Sequence, residues 1–537
     1  MKKLSCLALT ALLLAPLGAL PAADAPAPAH KPNIIVILAD DMGYSDLGCY
    51  GSEIPTPNLD ALAKDGLRFT QFYNTSRCCP SRAAILTGLY SHEAGIGRML
   101  GHTALPGYLG HLNDNCVTTA QVLHSAGYFT ATTGKWHVGM KLSAPWNRGF
   151  DRSLTAPAGG FYYGADPNAR LFLNGQPIAN DDPRLPKDWY STDLWTGQGI
   201  KFIDEAGAAQ KPFFLYLAFN APHFPLQAPP EDIAKFRHGI YLQGWDKLRE
   251  ARYERQKAMG LIDPAWALSP RPEEVKPWDS LTAPDKDRFD QIMSIYAACV
   301  WHLDESVGVL VDALKQRGLY DNTLIIFLSD NGGNAESGPE GRLEGANPGA
   351  ANSTVYCGQS WATLENTPFR LYKHFEHEGG VSSPFIVHWP AGIAAKNALI
   401  TDPSHIVDIM PTLADVGGAA YPTQFNGRPV LPMEGRSLAP AFSGQPLQPR
   451  DALFWEHEGN AAVREGDWKL VRRDADGAWE LYNLKTDRTE LHNLAAARPD
   501  KARELLAKWQ AWADRTHVFP APKYPPDFLR KFEIPDD

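Results

Sequence analysis

Long apolar runs that end abruptly in polar residues constrain the fold of this 537-residue chain more than any other feature. Residues 33–38, 212–219 and 323–328 are such runs, and further strands are predicted at 67–73, 128–132 and 385–389. Residues 334–362 are rich in Gly, Asn and Ser and are predicted to be loop. A strand that is apolar at every position, rather than at alternate positions, is buried on both faces, which is typical of a parallel sheet covered by helices. Amphipathic segments predict those helices at 57–66, 118–126, 197–206, 289–314 and 407–416. We therefore predict an α/β fold with a large, mixed, mostly parallel sheet flanked by helices.

The pattern changes after about residue 445. Four short strands separated by tight turns are predicted at 453–457, 461–464, 468–472 and 479–482, and a helix is predicted at 500–515. Short alternating strands joined by tight turns are typical of an antiparallel sheet. The chain is therefore predicted to contain a catalytic domain at 31–445 and a smaller C-terminal α+β domain at 446–537, built on that sheet and closed by the helix.

The N-terminus has the three parts of a signal peptide. Lys2 and Lys3 give a positive start, residues 7–20 are apolar, and Ala22 and Ala23 offer small residues for cleavage. We expect residues 1–23 to be removed and the protein to be periplasmic or secreted in a bacterium. No other stretch approaches the length of a membrane span.

Charge and cysteine content exclude several classes of protein. The net charge is −10 and the sequence has no basic run, so nucleic acid is not expected as a partner. The seven cysteines are scattered and form no Cys-x-x-Cys pair, so the chain is neither a disulfide framework nor a zinc ribbon. A single disulfide after export stays open, and the sequence does not indicate its partners.

Polar side chains follow the predicted strands directly. Asp40 and Asp41 follow the first strand, and Asp330 and Asn331 follow the strand at 323–328. Open α/β sheets bind ligands at the carboxyl ends of their strands, and adjacent buried carboxylates need a cation. Oxygen ligands without Cys or His favour Ca²⁺ or Mg²⁺ over zinc. The alternative for Asp40 and Asp41 is a solvated turn that caps a helix.

A second group of polar residues is cationic or titratable. Its members are Arg82, Lys135, His137, His223 and Lys373. Each residue alone is more commonly structural, but several cations around one point indicate an anionic substrate such as sulfate or phosphate. The aromatic and glycine-rich residues 150–196 are predicted to form long loops over such a site.

The segment from Cys78 to Gly88 is predicted to be a helix that begins at or just after Cys78. Pro80 suits a first helical turn and Gly88 suits a helix end. Backbone N–H groups at a helix N-terminus favour an anion, and Arg82 lies about one turn away. The alternative is a buried cysteine near a surface arginine.

This segment, Cys-x-Pro-Ser-Arg followed by Leu-Thr-Gly, resembles the signature of the sulfatases. Gly-Lys-Trp-His-x-Gly at 134–139 is similar to a second recurrent sulfatase motif, and the Tyr-Lys and Glu-Gly-Gly groups at 372–380 are similar to a third. The resemblance extends over nearly the whole mature chain and implies an alkaline phosphatase-like fold. In that family the first cysteine of the signature becomes formylglycine, and Cys78 matches that position, whereas Cys79 falls on the variable one.

The resemblance also implies the role of each site residue. Asp40, Asp41, Asp330 and Asn331 would bind one Ca²⁺, in preference to Mg²⁺, together with the modified Cys78. Arg82 and Lys135 would hold the formylglycine, His137 would contact its hydrate, and His223 and Lys373 would bind the sulfate ester. A metal-bound hydroxyl at residue 78 would attack sulfur, release an alcohol or phenol, and then yield inorganic sulfate.

The resemblance implies partners as well. The substrate would be a small-molecule or saccharide sulfate ester, and the chain would need a formylglycine-generating or anaerobic sulfatase-maturating enzyme. Three alternatives remain: a phosphodiesterase or phosphonate monoester hydrolase of the same superfamily, a non-catalytic exported glycan-binding protein, and a thiol hydrolase that uses Cys78.

Overall fold

The computed structural model describes residues 31–101 and 103–522. The predicted signal peptide, residues 1–23, lies outside this part of the chain, as does the end of the predicted C-terminal domain. None of the helices within it combines the length and the apolar composition that crossing a bilayer would require.

The strands of the described residues are numbered in chain order: β1 (Asn33–Ala39), β2 (Leu67–Phe69), β3 (Phe72–Tyr73), β4 (Phe129–Lys135), β5 (Arg152–Ala156), β6 (Leu171–Leu173), β7 (Gln176–Ile178), β8 (Phe213–Ala218), β9 (Thr323–Ser329), β10 (Arg342–Glu344), β11 (Thr354–Tyr356), β12 (Ser382–Ser383), β13 (Phe385–His388), β14 (Ala398–Ile400), β15 (Ser404–His405), β16 (Gln424–Phe425), β17 (Arg428–Pro429), β18 (Leu453–His457), β19 (Asn460–Glu465), β20 (Trp468–Arg472) and β21 (Glu480–Asn483). The α-helices are α1 (Pro57–Lys64), α2 (Cys78–Thr87), α3 (Thr119–Ser125), α4 (Ser191–Ala208), α5 (Pro230–Ile233), α6 (Gly244–Ala258), α7 (Ala283–Gln316), α8 (Gly358–Glu365), α9 (Glu378–Val381), α10 (Ile409–Val416), α11 (Ala439–Phe442) and α12 (Pro499–Arg515).

A ten-stranded sheet forms the centre of the molecule, with the order β14-β2-β13-β9-β1-β8-β4-β5-β6-β7. The strands from β9 to β5 in this order are mutually parallel, and β13 on one side and β6 on the other are antiparallel to their neighbours. The predicted fold class, a large mixed and mostly parallel sheet flanked by helices, is confirmed.

The continuous apolar runs are explained by helices on both faces of this sheet. Ile35 and Ile37 of β1 belong to one apolar cluster, which includes buried residues of α1, α4, α6 and α7. Ile34 and Val36 point to the opposite face, where buried residues of α2, α3, α10 and α12 complete a second cluster. Because successive side chains of a strand point to opposite faces, a strand between two such layers must be apolar at every position.

The C-terminal strands β18 to β21 form the predicted four-stranded antiparallel sheet. Ala462 and Val471 on one face pack with Tyr73 and Val381, and residues of the other face join the apolar cluster that contains α12. Apolar contacts therefore cross the predicted boundary at residue 445, and the division into two domains stays a prediction.

The structure differs from the predicted elements in three regions. The single strand predicted at 67–73 is two short strands, β2 and β3, which belong to different sheets. The predicted loops at 150–196 contain β5, β6 and β7, which extend the large sheet, and the predicted loop at 334–362 contains the β10–β11 hairpin and α8. The strands β7 and β10 are three residues long and partly exposed, so they carry no continuous apolar signal.

Candidate active site

The carboxyl ends of four neighbouring parallel strands carry most of the predicted site residues. Asp40 follows β1, Lys135 is the last residue of β4, and Asp330 follows β9. Backbone hydrogen bonds tie these ends together, from Asp40 N to Ala221 O at 3.0 Å and from Asp330 N to Ala39 O at 3.2 Å. Ala221 lies after β8, two residues before His223. The strand order therefore places the polar residues at one edge of the sheet.

The oxygen donors predicted for a metal lie together around Cys78. The Sγ atom of Cys78 and carboxylate oxygens of Asp40 and Asp330 lie within 4.8 Å of one another. Asp41 N donates to Asp330 Oδ1 over 3.3 Å, and Asn331 Nδ2 donates to Asp41 Oδ1 over 2.6 Å. Asp41 has φ +66°, a left-handed conformation that turns the chain sharply after β1.

Two buried oxygens in this group have no hydrogen-bond partner. They are Oδ1 of Asp40 and Oδ1 of Asn331, and both residues are fully buried. A buried carboxylate or amide oxygen without a partner costs free energy, and each such atom calls for a specific explanation. A hard divalent cation explains both, because the donors are carboxylate and amide oxygens, which Ca²⁺ and Mg²⁺ prefer. The residues present therefore fit a metal of this class.

Arg82 of helix α2 and Lys135 of strand β4 lie against the carboxylates. Arg82 donates from Nε to Asp330 Oδ2 at 3.0 Å and from Nη1 to the Lys135 carbonyl at 2.6 Å. The ammonium of Lys135 lies 2.6 Å from Asp40 Oδ2. Burial lowers the pKa of the Lys135 ammonium, but Asp40, Cys78 and Asp330 together outweigh burial and raise the pKa overall. Lys135 therefore stays charged although it is buried.

Lys373 and His223 approach the other carboxylate, Asp41. Lys373 Nζ lies 2.8 Å and His223 Nε2 lies 3.5 Å from Asp41 Oδ2. Burial lowers the pKa of the Lys373 ammonium, but Asp41 and Glu336 together outweigh burial, so the pKa is raised. Burial lowers the pKa of His223, and its Nδ1 lies 2.5 Å from the carbonyl oxygen of Phe224. That carbonyl accepts a hydrogen bond from the Nδ1–H group and so fixes the orientation of the ring.

Cys78 is the first residue of α2, as the sequence predicts, and is 1% exposed. Ligand atoms of Cys78, Cys79 and His137 lie within 4.8 Å of one another. Burial and the Lys135 charge lower the pKa of His137 to about 4. The spacing of two residues between Lys135 and His137 predicts an extended backbone that points both side chains to one side. The backbone at His137 is instead left-handed, with φ +56°.

The charges of the site are nearly balanced before any ion is counted. Burial and the neighbouring Asp40 carboxylate raise the pKa of Asp330 well above its usual range. A divalent cation would remove the cause of this shift, since it would offset the repulsion between the two carboxylates. It would also leave an excess of positive charge that an anionic substrate could neutralise.

The structure therefore brings together all ten residues predicted for the site: Asp40, Asp41, Cys78, Arg82, Lys135, His137, His223, Asp330, Asn331 and Lys373. Their individual roles stay predictions.

Three further residues belong to this group and were not predicted. Asn334 donates to Asp41 Oδ2 over 2.7 Å, and the Glu336 carboxylate lies 3.7 Å from Lys373 Nζ. Arg77 donates to Glu336 over 2.8 Å. The only sequence signal for them is proximity, because Arg77 precedes Cys78 and the other two follow the Asp-Asn-Gly-Gly turn after β9.

The six cysteines within the described residues are free thiols, namely Cys49, Cys78, Cys79, Cys116, Cys299 and Cys357. No disulfide forms among them, so none of these residues provides the bridge that the sequence left open.

Two family profiles match the chain. A profile described as Sulfatase matches residues 32–419, and a profile described as N-sulphoglucosamine sulphohydrolase, C-terminal, matches residues 369–510. The first match covers all ten residues of the site. The second covers the strands β18 to β21 and most of α12.

Known proteins are similar over most of their length. An uncharacterized sulfatase of Schizosaccharomyces pombe is 37% identical over 541 residues, which cover 92% of this chain and 96% of the relative. An arylsulfatase of Klebsiella aerogenes is 37% identical over 429 residues, which cover 76% of this chain and 92% of the relative. A solved structure, Ps i-CgsB in complex with k-i-k-neocarrahexaose, is 27% identical with a TM-score of 0.67 and covers 94% of this chain and all of that one. The similarity in sequence and the similarity in fold therefore both extend over nearly the whole described chain.

Proposed function

The chain belongs to the sulfatase family and is a sulfuric ester hydrolase, and from this premise we propose an exported arylsulfatase-type enzyme that uses one Ca²⁺ ion and a formylglycine made from Cys78. The observation that carries this proposal is the pair of unpartnered oxygens on Asp40 and Asn331. The Asp40 carboxylate lies near the Cys78 thiol, Asn331 is bonded to Asp41, and the buried cations Lys135 and Arg82 lie against Asp40 and Asp330. That arrangement suits a metal, a modified side chain and a sulfate group together.

The metal would be held by Asp40, Asp41, Asp330 and Asn331, with the modified side chain of residue 78 as a further ligand. When bound, the ion would lower the pKa of a hydroxyl on that side chain and so supply a nucleophile near neutral pH. The other roles in the proposed reaction belong to side chains of the protein. Arg82 and Lys135 lie against Asp330 and Asp40, and their positive charges would stabilise negative charge developing at residue 78.

Proton transfer is assigned to the two histidines and Lys373. His137 lies next to Cys78 with its pKa lowered to about 4, so it is neutral at pH 7 and able to accept a proton from a hydroxyl of residue 78. His223 and Lys373 both contact Asp41. From there they would bind the sulfate oxygens and stabilise charge on the departing ester oxygen.

Two of the similar proteins bear on the choice of substrate. The Klebsiella aerogenes relative is named arylsulfatase, whereas the Ps i-CgsB structure is a complex with a sugar, k-i-k-neocarrahexaose. We assign this chain an aryl sulfate in preference to a saccharide sulfate because the arylsulfatase is the more similar of the two. We also propose that a bacterial sulfatase-maturating enzyme acts on Cys78 and that residues 1–23 direct export to the periplasm or beyond.

The test is sulfate release from a panel that includes 4-nitrophenyl sulfate, saccharide 6-sulfates and the matched phosphate esters. We expect the aryl sulfate to be hydrolysed fastest. Exhaustive chelation should abolish turnover and remove one calcium per chain, as read by elemental analysis, and added Ca²⁺ should restore both.

A hydrazide probe for aldehydes should label the natively produced protein at residue 78 and leave a Cys78→Ala variant unlabelled. Faster hydrolysis of phosphate esters would overturn the proposed reaction. Full activity in protein free of calcium, or in protein without aldehyde, would overturn the proposed cofactors.

A further inference from the structure

Three rings stack beside the residues proposed to bind sulfate, and we name them the aromatic wall. The ring centroids of His223 and Phe224 are 4.2 Å apart, and those of Phe224 and Tyr356 are 4.3 Å apart, with 25° between the planes in both pairs. Each of the three residues is half-buried. Lys373 Nζ lies 5.4 Å from the centroid of Phe224, within the range of a cation–π contact. The aromatic wall therefore includes His223 and adjoins Lys373.

The aromatic wall is held in place by the backbone. Leu226 N donates to Val355 O over 2.8 Å, so the segment after His223 is tied to strand β11, which ends at Tyr356. Gln227 Nε2 adds a hydrogen bond of 3.2 Å to Ser353 O. Tyr356 is also paired with Arg342 in the β10–β11 hairpin. These bonds position Tyr356 against Phe224 before any ligand binds.

The position of the aromatic wall relative to the chemistry rests on the proposed function. Cys78 lies with Asp40 and Asp330, and Asp40 also lies with Asp41 and His223. His223 and Lys373 both contact Asp41, so the carboxylates of Asp40 and Asp41 lie between Cys78 and these two residues. A sulfate group held between them would be attacked from residue 78, and its ester oxygen would depart toward His223 and Lys373. The organic group on that oxygen then meets Phe224 and Tyr356.

We propose that Phe224 and Tyr356 form the subsite for the organic part of the sulfate ester and select a planar aromatic group. An aromatic ring gains from packing in offset or edge-to-face geometry against other rings. A saccharide would lose hydrogen bonds between several of its hydroxyls and water, and the two rings together carry only one hydroxyl that could replace them. The aromatic wall therefore favours an aryl or arylmethyl leaving group over an aliphatic or saccharide one.

A second apolar feature offers a different location for such a subsite. A cavity of about 400 Å³ is lined by Leu100, Met140 and Leu142, among others. Met99, next to Leu100, has its Sδ 3.9 Å from Cys78 Sγ, which places this cavity on the attacking side of the site. Because a leaving group departs away from the attacking group, the cavity is the poorer location for it.

The experiment compares benzyl sulfate with cyclohexylmethyl sulfate, two primary alkyl esters of similar size that differ in aromaticity. For the wild-type enzyme we expect kcat/KM to favour benzyl sulfate by about 2- to 10-fold, the range that aromatic packing provides. Tyr356→Phe should keep that ratio because it keeps the ring, and Tyr356→Leu should bring it close to 1. Leu142→Gln, which changes the rival cavity at an exposed position, should leave the ratio as in the wild type. For galactose 6-sulfate, kcat/KM should change by less than about 2-fold in Tyr356→Leu, since the proposal gives this saccharide no contact that depends on the ring.

Two results would overturn the inference. One is a ratio that Tyr356→Leu leaves unchanged, and the other is a ratio that Leu142→Gln abolishes. A large loss confined to galactose 6-sulfate in Tyr356→Leu would also overturn it and assign the aromatic wall to saccharides.

Failure of the proposed function itself would look different, because no ester in the series would then release sulfate. In that case the same two esters are compared by calorimetric binding to a Cys78→Ala background with and without Tyr356→Leu. Tighter binding of benzyl sulfate that is lost with Tyr356→Leu supports the subsite without turnover, and equal binding of the two esters overturns it.

Discussion

Two neighbouring cysteines begin helix α2, and their thiols have opposite properties. The pKa of Cys78 is lowered well below its usual range by a hydrogen bond with Cys79, against the effect of burial and with help from Lys135 and His137. The pKa of Cys79 is raised well above its usual range, first by burial and then by Cys78. Cys79 is fully buried and belongs to the apolar cluster beneath the large sheet. The two positions are therefore expected to tolerate substitution very differently.

Cys78→Ala should abolish sulfate release, because it removes the proposed nucleophile and a proposed metal ligand together. Cys79→Ala should keep most of the activity, since it deletes one apolar-facing thiol at a cost of about 1–2 kcal/mol in unfolding free energy. Initial rates with 4-nitrophenyl sulfate check both variants, and circular dichroism confirms that each is folded. An active Cys78→Ala beside an inactive Cys79→Ala would reverse the assignment.

Some of these site residues could be predicted from the sequence because parallel strands end at one edge of a sheet. Asp40 and Asp330 follow long apolar runs, so their meeting needed only the fold class. Asn334 and Glu336 could not be placed in this way, because their positions depend on the path of a loop that is set by contacts with Asp41 and Lys373. The formylglycine expected at Cys78 came from resemblance alone.

At the scale of single elements, the pairing of β4 with β8 controls where Lys135 lies. Gly134 has φ +105°, and a Cβ atom at this position would lie 1.8 Å from the carbonyl oxygen of Ala218 on β8. Only glycine allows both this conformation and this close approach. The next residue, Lys135, contacts Asp40 and Arg82. The glycine therefore supports both the sheet and the site.

Gly134→Ala should lower the free energy of unfolding by about 2 kcal/mol or more, because the strands must separate to admit the methyl group. It should also reduce kcat more than about tenfold through displacement of Lys135. Gly197→Ala is the matched control, since this position lies in α4 with nothing within 4 Å of the added carbon. That variant should be as stable as the wild type or more so. Equal stability of the two variants in urea unfolding would contradict the role given to Gly134.

Elements with a continuous apolar pattern were predicted well, and short exposed ones were not. The strands β1, β8 and β9 coincide with the predicted runs within a residue or two. The β10–β11 hairpin was predicted to be loop, because its segment is rich in Gly, Asn and Ser and each of its strands has only three residues. The two strands pair with each other, and Val355 accepts one further hydrogen bond from Leu226 N. Such short strands depend on pairing with another segment rather than on local periodicity, so the sequence pattern does not reveal them.

At the scale of the whole molecule, one buried carboxylate joins the C-terminal sheet to the rest. Glu378 of α9 accepts from Lys469 of β20 at 2.8 Å, from Arg488 at 2.7 Å and from Tyr73 of β3 at 3.0 Å. Burial alone would raise the pKa of Glu378, but Lys469 and Arg488 outweigh it and lower the pKa to about 2. The ionised carboxylate therefore stabilises the contact between the two parts.

Glu378→Gln should cost about 3–5 kcal/mol of unfolding free energy at pH 7, because it removes the charge that pairs with buried Arg488 and leaves buried Lys469 with Glu490 as its remaining ion-pair partner. The pKa is lower in the folded protein than in the unfolded chain, so this stabilisation is complete above about pH 4.5 and is lost as the pH falls toward 2. The difference between wild type and variant should therefore shrink between pH 5 and pH 3. Urea unfolding followed by tryptophan fluorescence at both pH values measures it.

The control for this comparison is an exposed ion pair. Glu504 lies 2.9 Å from Lys501 with its side chain half exposed, and Glu504→Gln should change stability by less than about 1 kcal/mol at either pH. A Glu378→Gln variant that loses the same stability at pH 3 and at pH 7 would show that its carboxylate charge has no part in joining the C-terminal sheet.

The burial of helix α2 determines when the proposed conversion of Cys78 can take place. All ten residues from Cys78 to Thr87 are buried, so a maturating enzyme cannot bind this segment in the folded protein. Under the proposed function, conversion of the Cys78 thiol must therefore occur on the nascent polypeptide, before the strands on either side assemble over it. A molecule that folds first would keep its cysteine permanently, and a host that produces the chain faster than it can oxidise residue 78 would accumulate well-formed but inert protein.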